Sequence, residues 1–406
     1  MTSIPSWDEL LGGDLLPGDV LAEKYRLDEL VGQGAMGFVV RAHHLQLDEP
    51  VAVKFLLPDF AANQEALVRF EREARAAFKI KSEHVTRVLD VGRVANGAPF
   101  MVMEFLEGID LGDLVGERLS LPVEEAVDYI LQACEAVAEA HLLGVVHRDL
   151  KPENLFIITR RDGSACVKVL DFGLSKELPL KTGERQRALT SNEQVMGTAQ
   201  YMSPEQWVSA KDVGPETDIW ALGVILYEVV SDHSPFLRDK LARVCGAVLN
   251  AEAPPLAEVM GDPPDGLDDV LRKCMVKDVR HRFHRVEELC EALTPYASPV
   301  GKELAERISR AAARSAKPRS SFDRVPDSGQ VADPGPPAAD RAPPDPVEPE
   351  APLPRLGIRS PDGTIERWSE IMERAPKMAP RRSLVWVVVL LVAVVAVAAI
   401  GWFALG

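Results

Sequence analysis

An α+β fold in two lobes, strands first and helices after, is what residues 25–296 predict, and three features of the sequence carry that expectation. Between Leu30 and Lys54, β-branched and apolar residues flank a glycine-rich turn, as in a pair of strands. From residue 123 onward, apolar side chains recur at helical spacing and dominate the second half of the unit. Throughout the stretch, apolar runs alternate with polar turns over enough chain for one large core. On either side the composition changes. Residues 1–24 read as a flexible lead-in, 297–383 as a Pro-rich and acidic linker, and 384–405 as a single transmembrane helix.

In the first lobe, Leu30-Val31-Gly32-Gln33-Gly34-Ala35-Met36-Gly37-Phe38-Val39-Val40 predicts strand, turn, strand. The G-x-G-x-x-G spacing alone is weak, because dinucleotide-binding folds use it too. Those folds, however, place a helix directly after the glycines, whereas Phe38-Val39-Val40 continues as a strand. Nor does the turn carry the Gly-Lys-Ser/Thr of a Walker A loop. Val51-Ala52-Val53-Lys54 is a short strand ending on a lysine, a residue that in isolation is most often simply solvated. Residues 67–81 have the rhythm of an amphipathic helix, with Leu67, Phe70, Ala74, Ala77 and Phe78 on one face. Glu71 and Glu73 on that helix are both candidates to pair with Lys54. Residues 100–108 form a further apolar strand that runs into Gly108.

The second lobe opens with a helix over 123–143 that Gly144 stops. Next comes His147-Arg148-Asp149-Leu150-Lys151-Pro152-Glu153-Asn154, then two strands, 155–158 and 167–170, that turn at Arg161-Asp162-Gly163 and deliver Asp171-Phe172-Gly173. An acid, a lysine, an amide and a second acid at these spacings suit phosphoryl transfer. Asp149 can accept the proton of an attacking hydroxyl, and Asn154 and Asp171 offer hard oxygens to Mg2+. Lys151 neutralises charge on the transferred group.

These stretches match H-R-D-L-x-x-x-N and D-F-G at every fixed position, so the chain resembles the bacterial eukaryotic-type (Hanks-type) serine/threonine protein kinases. The resemblance implies a two-lobed protein kinase fold: an N-lobe antiparallel sheet plus a helix, and a mainly helical C-lobe. It implies ATP and Mg2+ as cofactors and protein hydroxyls as acceptors, with Lys151 favouring serine and threonine. On the nucleotide it would set the backbone of Gly32, Gly34 and Gly37 against the phosphates, with Lys54 on the α and β phosphates. Val31, Val39, Ala52 and Leu155 would line the adenine and Met103 its rear, with backbone groups of Glu104 and Leu106 at its edge and Asp110 on the ribose. Spacing to the Ser82-Glu83-His84-Val85 corner, set against the family pattern, favours Glu73 over Glu71 as the partner of Lys54. The family also packs His147 against Phe172, pairs Glu205 with Arg282 and braces the catalytic loop with Asp218. In Gly197-Thr198-Ala199-Gln200-Tyr201-Met202-Ser203-Pro204-Glu205, Thr198 would touch Asp149 and Lys151.

Between Asp171 and Glu205 the chain is polar, basic in places and without period over 174–196, long enough for a functional loop. A phosphate there would pair with Arg148 and order the segment. Thr190 and Ser191 are the candidates; related kinases often carry two threonines one residue apart, and this chain reads Thr190-Ser191-Asn192.

The net charge of −16 and the lack of a basic stripe argue against a nucleic-acid partner. Five scattered cysteines without a C-x-x-C pair read as buried thiols of a reducing compartment. Past 296, a short helix over 302–313 gives way to a proline-rich tract that neither helix nor sheet can hold. A further short helix is expected over 364–374, on a membrane surface or a partner. Residues 384–405 are uncharged and long enough to span a bilayer. Arg374, Lys377, Arg381 and Arg382 precede them, which places the kinase-like unit on the cytoplasmic side. No small residues lie four apart in the span, so it carries no close-packed dimer seam; a transient dimer of the globular unit remains a partner state. With no leader at the start and nothing after Gly406, the activating signal is expected from inside the cell or the membrane. The alternative function is a membrane-anchored adaptor working through Ala351-Pro352-Leu353-Pro354-Arg355.

Overall fold

In the first lobe, strand alternation sorts side chains onto two faces, and the two faces have different uses. The computed structural model describes residues 16–34, 37–61, 63–94, 97–172, 197–209 and 213–316. Six antiparallel strands, β1 (Val20–Leu21), β2 (Tyr25–Gln33), β3 (Gly37–His44), β4 (Glu49–Leu56), β5 (Val88–Arg93) and β6 (Pro99–Glu104), lie in the order β1-β2-β3-β4-β6-β5. Leu27, Phe38, Val40, Val51, Val53, Phe55, Phe100 and Val102 point to one face and form its apolar core. The residues between them, Val39, Ala52, Lys54, Met101 and Met103, point to the other face; Ala52 stands opposite Met103 and Val39 opposite Lys54. Gly37 is glycine for a packing reason, since a Cβ there would collide with the Phe55 carbonyl on the neighbouring strand.

After a single turn, α1 (Pro58–Ala61), helix α2 (Gln64–Lys79) starts at Asn63, whose side chain accepts the N–H groups of Glu65 and Ala66 at 2.8 and 3.3 Å. It packs Phe70 and Ala74 against Leu56 and Met101, on the same sheet face as Lys54. The helix is three residues earlier at its start than the sequence pattern suggests, and its buried line is Ala66, Phe70, Ala74 and Ala76. Phe78, expected on the packed face, is instead 60% exposed. The Lys81 ammonium lies 4.8 Å from its ring centre.

The second lobe is helical apart from a three-stranded antiparallel sheet of β7 (Gly108–Asp110), β8 (Leu155–Thr159) and β9 (Ala165–Val169). Its helices are α3 (Leu111–Arg118), α4 (Val123–Leu142), α5 (Pro204–Val208), α6 (Glu216–Ser231), α7 (Leu241–Asn250), α8 (Leu256–Val259), α9 (Leu267–Cys274), α10 (Val286–Leu293) and α11 (Pro299–Ala316). Helix α6 is buried almost all round, from Thr217 to Tyr227, and forms the axis of the core. Helix α4 ends where Gly144 takes a left-handed φ of +74°. Cys134, Cys166, Cys274 and Cys290 are buried and Cys245 is half-buried, all as free thiols.

Packed structure extends beyond both edges expected of the globular unit. At the start, the backbones of Gly18 and Asp19 already bond to Leu27. At the end, the helix predicted over 302–313 runs from Pro299 to Ala316 and buries Leu304, Ala305, Ile308 and Ala312 in the core, so its first part belongs to the fold and not to a linker. Thr190 and Ser191, the proline-rich tract, the helix expected over 364–374 and the span expected over 384–405 lie outside the described residues. Among the described residues no helix is long and apolar enough to cross a membrane.

Candidate active site

Lys54, near the end of β4, reaches across the lobes. Its ammonium lies 2.8 Å from Glu73 of α2 and 2.6 Å from Asp171, which follows β9. Glu71 is excluded from this contact. Two residues along a helix is about 200° around it, and Glu71 faces outward to Arg93 at 2.7 Å and Arg75 at 3.3 Å. Burial works against the charge on Lys54, but Asp171 and Glu73 outweigh it and hold the ammonium above the usual lysine range. Burial pushes Glu73 up, and the nearby Asp171 adds to that. Asp171, against its own burial, is held low by Lys54.

The loop between α4 and β8 brings the remaining candidates together. Asn154 donates through Nδ2 to the Asp149 carbonyl at 2.7 Å, and its own carbonyl accepts the Leu170 N–H at 2.9 Å. This ties the loop to the strand that delivers Asp171. Lys151 Nζ stands 3.5 Å from Thr198 Oγ1. The buried His147 ring packs edge-on against Phe172 at 4.9 Å and holds the Leu170 carbonyl at 2.9 Å.

Arg148 adopts a left-handed backbone, φ 65°, which a non-glycine residue tolerates only when its surroundings fix it. Asp218 of α6, itself buried, accepts the N–H groups of His147 and Arg148 at 2.9 and 2.8 Å, and also meets His141 at 2.8 Å. Those donors overcome the burial of its carboxyl and keep it below the usual aspartate range. From the other side, Gln206 donates to the Arg148 carbonyl at 2.9 Å. Gln206 is a residue that the motif reading missed. Its signal was present as Ser203-Pro204-Glu205-Gln206, a capping box in which Gln206 also accepts the Ser203 N–H at 2.9 Å. Arg282 is fully buried against Glu205 at 2.8 Å and holds the Glu216 and Val276 carbonyls as well.

At the junction of the lobes, Glu104 pairs through its side chain with Lys168 at 2.9 Å and accepts the Arg87 N–H at 2.8 Å. No spacing rule links residues 64 apart in sequence, so this contact had no sequence signal. Asp110 caps α3 by accepting the Asp113 N–H at 2.9 Å, and burial raises its carboxyl. Met103 packs beside Met101 behind Ala52, and Leu155 is buried beneath. Leu106 is half-buried and Val31 is exposed at the rim.

These residues fit a nucleotide with a divalent ion. Among the described residues, a Cβ on Gly32 would meet no atom within 4 Å and one on Gly34 only the Gly37 carbonyl at 3.7 Å, so no packing inside the protein demands glycine at either place. Asn154, with its amide nitrogen committed to Asp149, presents its oxygen, and Asp171 is held ionised: two hard ligands of the kind magnesium takes.

A family model described as "Protein kinase domain" matches residues 25–293. The chain is 38% identical to the serine/threonine-protein kinase pkn3 of Myxococcus xanthus over 238 residues, 59% of this chain and 43% of that protein. It is 34% identical to the serine/threonine-protein kinase PknB of Mycolicibacterium smegmatis over 272 residues, 66% of this chain and 42% of that protein. It thus spans less than half the length of these curated relatives. Among solved structures, the kinase domain of Mycobacterium tuberculosis PknI matches with 25% identity and a TM-score of 0.54, over 70% of this chain and 100% of that one.

Proposed function

The chain belongs to the protein kinase family, and from that premise we propose that it is a serine/threonine protein kinase, transferring the ATP γ-phosphoryl group to protein hydroxyls. The observation that carries this reading is Lys54 held between Glu73 and Asp171 while Asn154 ties Asp149 to the same strand end. Bound ATP with Mg2+ would supply the electrophilic phosphoryl group, Lys54 and the backbone of 32–37 holding phosphates and Asn154 and Asp171 the ion. Asp149 takes the proton of the acceptor hydroxyl, Lys151 balances the charge that builds up, and Thr198 beside Lys151 positions the acceptor. A carboxylate kept ionised by a neighbouring ammonium is suited to a metal at neutral pH, which is the use that the depressed Asp171 serves.

The test is incubation with Mg-ATP and a protein substrate, alongside Asp149→Asn. Removal of a general base costs about 10²–10⁴-fold, so the variant should lose nearly all transfer while keeping its melting temperature. Transfer unchanged in that variant would overturn the assignment.

Regulation and location belong to the same proposal. Autophosphorylation at Thr190 or Ser191 would pair with Arg148, whose Nε is buried without a hydrogen-bond partner. Mapping of phosphate after incubation checks this, and a segment 175–196 without phosphate ends it. The uncharged run over 384–405, preceded by basic residues, supports a single-pass anchor with the kinase domain in the cytoplasm; fractionation with and without that run decides it.

A further inference from the structure

Helix α4 hands the chain to the catalytic loop within a few residues. The Gly144 N–H closes on the His141 carbonyl at 2.9 Å and the Val145 N–H on the Ala140 carbonyl at 2.9 Å, while Gly144, at φ +74°, turns the chain back. The turn brings His147 to the carboxylate that the last turn of α4 already reaches. Asp218 Oδ2 accepts from His141 Nε2 at 2.8 Å and from the His147 N–H at 2.9 Å, and Oδ1 accepts from the Arg148 N–H at 2.8 Å. An ionised carboxylate only accepts, so Nε2 is the nitrogen of the His141 ring that carries the proton. The two side chains are 11% and 1% exposed, which leaves water little access to the contact.

Of the three donors on Asp218, His141 is the one outside the loop being held. Arg148 takes a left-handed backbone that needs outside support, and Gln206 holds its carbonyl from the other side at 2.9 Å. Asp149 is the next residue, so its direction follows from how 147 and 148 are fixed. Burial works to raise the Asp218 carboxyl; the His141 hydrogen bond is the strongest influence holding it down, ahead of the His147 ring and the Arg148 N–H. The other charges nearby have partners of their own. The Arg148 guanidinium bonds the Val213 carbonyl at 3.2 Å, Glu216 lies 3.7 Å from His284, and Glu205 meets Arg282 at 2.8 Å. A proton on Asp218 would turn one oxygen into a donor and leave one of the three partners without its acceptor.

We propose that His141 is a positioning residue for phosphoryl transfer: from α4 it fixes the Asp218 carboxylate with one oxygen on His147 and the other on Arg148, and so directs Asp149 at the acceptor hydroxyl. It acts through Asp218 and the loop backbone. The inference rests on the transfer chemistry assigned above and extends it to a residue six positions before the catalytic loop.

The experiment measures transfer from Mg-ATP to a protein substrate by the full chain, across a pH series, for the unaltered protein, His141→Phe and His141→Gln. Phenylalanine fills the space of the ring without a donor, and glutamine carries an N–H donor at about the place of Nε2. In His141→Phe, kcat should fall by about tenfold or more, because Asp149 loses its direction. KM for ATP should stay within about twofold, because the nucleotide contacts are untouched. The acid limb of kcat should move up by about one pH unit, because Asp218 then takes a proton more readily. His141→Gln should restore most of kcat. If His141→Phe does not fold, His141→Asn, too short to reach Asp218, takes its place. An unchanged kcat and acid limb would overturn the proposal, and so would activity kept by His141→Phe but lost in His141→Gln, which would make the ring a packing element. No transfer by the unaltered chain would overturn the assigned function and this inference together, whereas transfer that His141→Phe leaves intact overturns this inference alone.

Discussion

In the cleft, Lys54 shares its ammonium between Glu73 and Asp171, with side chains 15%, 18% and 45% exposed. In the helical lobe, Arg282 meets Glu205 with none of its own side chain exposed, and Asp218 meets two amides and an imidazole while almost wholly buried. Both places set cations or N–H donors against carboxylates. In the lobe, the buried charges are surrounded by partners: Arg282 bonds a carboxylate and two backbone carbonyls, and Asp218 uses both oxygens. In the cleft, the Asp171 carboxylate stays half-exposed although it meets Lys54. A charged group that is fully partnered holds structure, whereas one left partly open to water remains able to bind something else.

Arg282→Met gives the largest expected effect and tests the scaffold side of that contrast. It leaves Glu205 half-enclosed without its cation and two carbonyls without a donor, at a cost of about 3–5 kcal/mol in denaturant unfolding. A loss below 1 kcal/mol would show that the buried pair is not what holds α5 to α6.

Lys54→Met tests the cleft side. Transfer from ATP should fall by about 10²–10³-fold, because phosphate contacts are lost, while stability falls less than in Arg282→Met, because Asp171 is half-exposed and Glu73, already pushed up by burial, can take a proton. If melting dropped as far as in Arg282→Met, the two regions would not differ in kind.

Glu228 sharpens the comparison through pH. It accepts the Tyr201 hydroxyl at 2.6 Å, and burial pushes its carboxyl up to about 7. The folded state then holds a proton that the unfolded chain has released between the ordinary glutamate range and pH 7. Stability falls as pH rises through that window and levels off above it, by about 3 kcal/mol in all. Glu228→Gln keeps an acceptor for Tyr201 and should flatten the slope when urea midpoints are compared at pH 5 and 8; an unchanged slope would refute the burial argument.

Glu71→Gln gives the smallest effect. Its partners Arg75 and Arg93 are surface arginines, so stability should change by about 0.5 kcal/mol or less and phosphoryl transfer not measurably. Glu73→Gln in the same assay should lower transfer clearly, and equal effects would cancel the distinction between the two glutamates.

The parts legible in the sequence are those in which few residues suffice. His147 to Asn154 shows its chemistry in eight positions, the glycine turn is marked by the strand that follows it, and α4 and its stop by apolar spacing and Gly144. Each of these is fixed by local backbone geometry or by donors placed along one loop. Spacing along α2 was less decisive. It favoured Glu73 only with help from the family pattern, and it placed Phe78 on a packed face, because periodicity reports which side of a helix is apolar but not which of those residues a neighbour covers.

From the sequence alone came the class of chemistry and the expectation that Asp149 accepts the hydroxyl proton and that Lys54 and the glycine turn meet a nucleotide, since reacting groups are side chains and their types are written in the chain. Tertiary structure decided which of two glutamates reaches Lys54, what braces the left-handed Arg148, that Glu104 pairs with Lys168, and that α11 is part of the core. Each of these depends on how distant segments meet, and the free energy that selects such a meeting is the burial shared between them, which neither segment contains alone.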